Sequence, residues 1–191
     1  MLRISGVALR FIADAGNFVT LKGMSETIIN RVALSALEQI DLEEFLPKEK
    51  IMGFDLKAFL FMEMIIKEKD FRESLEQHDW AQYQHKIVAV HCSADAIIPQ
   101  WAYMLVASYL QPFSSAIYFG DESSVSEKVL LHNIQAIDSA QYIDKRVIVK
   151  GCGEHQVGPA AYLAIAEKLR PAAKSIMYGE ACSTVPVYKK K

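Results

Sequence analysis

An α/β fold is predicted: a parallel sheet of about four strands from a duplicated β-α-β unit, behind a mainly helical N-terminal annex. Three observations carry it. Short β-branched runs alternate with helix-forming runs, the order that gives parallel strands with right-handed crossovers. One stretch recurs, since Gln82-Tyr83-Gln84-His85-Lys86-Ile87-Val88-Ala89-Val90 matches Gln141-Tyr142-Ile143-Asp144-Lys145-Arg146-Val147-Ile148-Val149, with 59 residues from Lys86 to Lys145. The residues before 81 follow a different, more helical pattern.

The annex comes first in the chain. Residues 26–37 suit a helix with Ser25 as its N-cap. Residues 55–66 are apolar almost all round (Leu56, Phe59, Leu60, Phe61, Met62, Met64, Ile65, Ile66), which predicts burial against the sheet or a partner chain. Residues 67–79 are more polar and suit a surface helix.

The repeat follows. Residues 87–91 and 146–150 are β-branched and bounded by polar turns, as buried strands are. Pro99 and Pro159 suit first helical turns, ahead of helices over 101–110 and 160–169 that close before Pro112 and Pro171. Residues 116–119 and 175–178 are the second strands, ended by Gly120 and Gly179. The spacing of 59 returns in Ala102-Tyr103 with Ala161-Tyr162, whereas Cys92 and Cys152 lie 60 apart. Between the copies, Val129, Leu130, Ile134 and Ile137 keep a helical period over 125–137. The expected organisation is an N-terminal extension over 1–23, a helical annex over 24–80, and a duplicated core over 81–191 with copies at about 82–122 and 141–181.

A net charge of −2 and a pI near 6.2 argue against a nucleic-acid binder. No apolar run approaches the roughly 20 residues of a membrane helix. Arg10 and Asp14 interrupt the apolar part of the N-terminal stretch and argue against a signal peptide. Three cysteines, an odd number without close pairing, do not form a secreted disulfide framework. These features predict a cytoplasmic protein with free thiols.

All strand C-termini of a parallel sheet lie along one edge, where ligands of open α/β sheets usually bind. Cys92, Cys152 and Cys182 each follow a strand and are expected on that edge, with His91, Asp95, Asp121, Glu154, His155 and Glu180 beside them. Thiolates suit zinc or an iron–sulfur cluster, and Cys152-Gly-Glu-His155 has a spacing that brings thiolate and imidazole to one ion. The same placement is open to two other readings. A thiol before a helix N-terminus is activated as a nucleophile. A cysteine is also a common inert core residue.

The segment His91-Cys92-Ser93-Ala94-Asp95-Ala96-Ile97-Ile98-Pro99-Gln100-Trp101-Ala102-Tyr103 closely resembles a bacterial family catalogued as domain of unknown function 2480. So do the step Lys150-Gly151-Cys152 and the ending Lys174-Ser175-Ile176-Met177-Tyr178-Gly179-Glu180-Ala181-Cys182-Ser183-Thr184-Val185-Pro186. The resemblance begins near Met24-Ser25-Glu26 and runs to the C-terminus. It implies that the three cysteines belong to the family pattern and that iron–sulfur assembly proteins are partners; it implies no activity. The leading expectation is therefore a carrier or maturation protein that binds zinc or an iron–sulfur cluster through Cys92, Cys152 and Cys182 with His155. A thiol-based transferase or redox enzyme, and an interaction scaffold with structural cysteines, are the alternatives.

Overall fold

The computed structural model describes residues 37–191 apart from 152 and 154–156. The fold is mixed α/β, with two separate sheets among the described residues. One holds β2 (Ile51–Asp55), β3 (Ile87–His91) and β4 (Ala116–Phe119) in that order, all parallel. The other has the order β1 (Leu37–Asp41), β5 (Arg146–Lys150), β6 (Ser175–Glu180), β7 (Ser183–Lys189). Its first three strands are parallel, and β7 runs antiparallel to β6.

Four α-helices are described: α1 (Glu68–Glu76), α2 (Gln100–Leu110), α3 (Glu122–Gln135) and α4 (Pro159–Leu169). The crossover helix α2 joins β3 to β4, and α4 joins β5 to β6. Ala102, Val106 and Leu110 bury one face of α2, and Ala161, Ile165 and Leu169 bury the matching face of α4. Both helices end on the same bonding pattern. Phe113 N–H donates to Leu110 O and Ala172 N–H to Leu169 O, each at 3.0 Å. Asp79 and Asp138 likewise cap the 3-10 turns ahead of β3 and β5. His85 and Asp144 then take the left-handed conformation, with φ of 57° and 55°.

Helix α3 connects the two halves. Asp121 caps it by accepting from Ser124 N–H at 2.7 Å, a site where a carboxylate also meets the positive end of the helix dipole. Its Val125 and Val129 pack with Ile87 and Ala89 of the β3 sheet, while Leu130 and Ile134 join the core under β5 and α4. Two apolar faces on one helix give each sheet its cover.

Two expectations are corrected here. The segment 37–66 is not helical: it forms β1, β2 and the 3-10 turns Leu42–Phe45 and Leu56–Phe59. The run at 55–66 is not wholly buried either, because Met62 and Met64 are 76% and 66% exposed in a tight loop closed by a Phe61–Ile65 bridge. An all-apolar run has no period to distinguish a helix from a strand followed by a turn. Secondly, the strands do not share one parallel sheet of about four. Each β-α-β unit takes a partner strand from the segment 37–55 and closes its own sheet. The expected extension over 1–23 and most of the expected helix over 26–37 lie outside the described residues.

Candidate functional site

The parallel strands end in two clusters, one per sheet. Asp41 and Asp55 are the last residues of β1 and β2, and each caps the following 3-10 turn through its side chain. In register, Asp41 lies beside Lys150 and Asp55 beside His91. Lys150 Nζ is 2.8 Å from Asp41 Oδ2, and this hydrogen bond to the ammonium holds the Asp41 carboxyl below its ordinary value. His91 Nε2 is 3.9 Å from Asp55 Oδ2. Asp55 also accepts from Ser93, at 3.0 Å from the backbone N–H and 2.5 Å from the hydroxyl. Partial burial raises the Asp55 carboxyl, and the Ser93 and Lys57 donors outweigh it, so its pKa lies below the usual value.

The two described cysteines are divided between the sheets. Cys92 follows β3 and is half-buried against the core of the β2-β3-β4 sheet, its thiol donating to Ala94 O at 3.6 Å. Tyr103 lies close by; burial first, and the Cys92 charge second, push its hydroxyl pKa up. Cys182 is exposed in the turn between β6 and β7, on the other sheet. Cys152 and His155, with Glu154, lie outside the described residues. Strands β3 and β5 correspond at a spacing of 59, and the residue directly after each is Cys92 in one and Gly151 in the other. Among the described residues no three His, Cys, Asp or Glu side chains converge as metal donors. That overturns the reading of the cysteines as a zinc or iron–sulfur site, and the physical reason is the partition into two sheets, which sets Cys92 and Cys182 on different ones.

The matching halves build matching grooves instead. On the first sheet a groove of about 510 Å³ runs between α2 and β4, lined by Val90, Ile98, Tyr103, Ala107, Ile117 and Phe119 among others. On the second, a groove of about 300 Å³ between α4 and β6 is lined by Val149, Tyr162, Ala166, Ile176 and Tyr178, which lie 59 residues on from Val90, Tyr103, Ala107, Ile117 and Phe119, and by Val187 of β7. Tyr103 meets Phe119 edge to face at a centroid distance of 5.6 Å, and Tyr162 meets Tyr178 at the same distance. The two differ in their cover. With β7 alongside, Ile176 is 3% exposed, whereas Ile117 at the matching place is half-buried and Phe119 is 65% exposed. No strand lies outside β4 among the described residues.

Natural sheets blunt their edges with charge, proline, bulges or a covering group. The other described edges follow that rule. Glu122 reaches β2 and accepts from Gly53 N–H at 2.9 Å. On β1, Glu38 pairs with Lys145 at 2.8 Å. The terminal strand β7 carries Pro186 and Lys189, and the β6–β7 register is irregular at Ile176/Met177. Strand β4 reads Ala-Ile-Tyr-Phe, and α2 beside it has no charged residue. Lys128 Nζ donates to the Phe119 carbonyl where the strand ends.

The sequence reading missed the β4 edge because it gave all four strands to one sheet. A signal for the true arrangement was present: Asp41-Leu42-Glu43-Glu44-Phe45-Leu46 repeats as Asp55-Leu56-Lys57-Ala58-Phe59-Leu60, one strand end for each half. Over residues 26–190 the chain matches the family described as Protein of unknown function (DUF2480), and it belongs to that family. No curated protein and no solved structure matches it. No helix among the described residues is long and apolar enough to cross a membrane.

Proposed function

We propose that this DUF2480 protein is an assembly module that accepts an extended strand from another chain on the open edge of β4. One observation carries the reading: the groove between α4 and β6 is covered by an antiparallel strand, and among the described residues its counterpart between α2 and β4 is not. In this reading the β-α-β units are copies of one ancestral unit. The matched hydrogen bonds, caps and left-handed residues at a spacing of 59 support that descent. What β7 does within the chain for one copy, a partner does for the other.

Strand addition is an established mode of recognition. The backbone ladder supplies affinity, and pockets for alternate side chains supply selectivity. Here the pocket is apolar and aromatic, so the incoming strand carries apolar residues at alternating positions, as Val185 and Val187 do on β7. The role involves no bond-making step.

A peptide of residues 183–190 tests the idea, because it reproduces the strand that covers the matching groove. Titrated into the full chain and followed by NMR, it should shift the resonances of Ile117, Tyr118, Phe119 and Tyr103. Shifts confined to Ile176, Met177 and Tyr178 would mean that the peptide displaces β7 and that the β4 edge accepts nothing.

A further inference from the structure

We infer that the strand completing the β4 edge is β4 of a second copy of this chain, paired antiparallel about a two-fold axis. The inference rests on the strand-addition reading and names its partner. The sheet β2-β3-β4 then continues into β4-β3-β2 of the second copy, and the two α2 helices lie on one face of the joined sheet.

The sense of pairing is the first argument. The matching groove is covered by an antiparallel strand, and antiparallel is the sense that a two-fold axis perpendicular to a sheet imposes on two copies of its edge strand. A parallel cover on β6 would have pointed to a different partner.

Self-complementarity is the second. In such a pair each residue faces a residue of the same short strand, so a charged edge would set like charges opposite one another. The β4 segment Ala116-Ile117-Tyr118-Phe119 has none. Asp121 follows two residues beyond its end, and in an antiparallel pair centred on Tyr118, which sets Ile117 opposite Phe119 of the other copy, it faces Ser115 of the other strand rather than a second carboxylate. The flanking helix is also compatible, for Met104 is 73% exposed and α2 is uncharged throughout.

The groove is the third argument. Ile117 and Phe119 line it together with Tyr103 and Ala107, so pairing places the same two side chains of the other copy along its open side. Each copy supplies what the other lacks, and neither groove is complete alone.

Sedimentation velocity of the full chain over a concentration series is the test. The wild-type chain should move reversibly from 21.5 kDa to twice that mass as concentration rises. Two variants address the edge. Phe119→Lys sets an ammonium on it, a device that natural edges use against pairing. Phe119→Pro removes an N–H that points outward. Gly120 N–H donates to Val90 O on β3, and in this register alternation along the parallel strand turns residue 118 toward β3 and residue 119 away. Both variants should stay at 21.5 kDa at every concentration, with a cooperative circular-dichroism melt showing that they fold. A wild-type chain that never exceeds the single mass overturns the second copy as partner. Binding of the 183–190 peptide would then leave strand addition standing, and failure of both would remove both. A dimer that survives in the two folded variants places the contact on another face and equally overturns the inference.

Discussion

Truncation of Leu42 and Leu56 to alanine, singly and together, tests whether the chain holds two matching cores. Both leucines directly follow a capping aspartate and both are fully buried. Leu42 packs with the core under β5 and α4, and Leu56 with the one under β3 and α2. Leu→Ala removes roughly three buried carbons, worth about 2.4 kcal/mol by transfer at about 0.8 kcal/mol each. The residual cavity raises the expected cost to about 3–4 kcal/mol per site. No buried residue is shared between the two clusters, so the double variant should lose the sum of the single costs to within about 0.5 kcal/mol. Urea unfolding followed by circular dichroism measures this, provided that the slope with denaturant is unchanged. A single cost below about 1 kcal/mol would refute the burial assigned to that leucine. A double variant departing from the sum by more than about 1 kcal/mol would refute the separation of the cores.

Two further perturbations have defined outcomes. His78 sits against Phe54, Trp80 and Tyr83, its Nε2 3.3 Å from the Tyr83 hydroxyl. Burial lowers its pKa from 6.5, against an opposing pull from Asp79. The folded chain therefore binds fewer protons than the unfolded one in that window. The contribution is complete above pH 6.5 and is lost as pH falls through the lower folded value. The carboxylates Asp41 and Asp55 act lower, below their ordinary 3.8, so the decline just under pH 6.5 should vanish in His78→Gln. A decline of equal size in the variant would contradict the assignment. Gly179 has a φ of +116°, and a Cβ there would lie 2.5 Å from Ser183 O. Gly179→Ala should cost about 1–3 kcal/mol and quicken proteolysis within 183–189. Gly120→Ala, where the obstacle is the Ser124 hydroxyl on a side chain that can turn, should cost less; equal costs would show that β7 does not constrain the turn.

Strands β3 to β6 and the crossover helices α2 and α4 were legible in the sequence, because short β-branched runs and proline-led helices carry their signals locally. Their grouping was not. A parallel strand can take its neighbour from anywhere in the chain, and here β1 and β2 lie next to each other in sequence yet belong to different sheets. No periodicity records that choice. The Asp-Leu-x-x-Phe-Leu repeat does record it, but its spacing of 14 residues places it inside what looked like one apolar helical annex. Strand β7 was hidden by Pro186, which argues against an interior strand and is tolerated at an edge. The cysteines drew attention to the strand ends because thiols advertise chemistry, whereas the β4 edge is marked by what its own strand lacks among the described residues: a charged side chain, a proline and a covering strand. Such an edge becomes visible only once its neighbours are known.

Amide hydrogen exchange at Phe119 and Tyr178 compares the two edges most directly. The β6–β7 ladder covers Tyr178 at any dilution, while β4 has no described outer partner. Tyr178 should therefore be protected equally in dilute and concentrated solution. Phe119 should exchange fast when dilute and gain protection as concentration rises or as the 183–190 peptide is added. A Phe119 amide that exchanges at one rate under all three conditions would contradict the account.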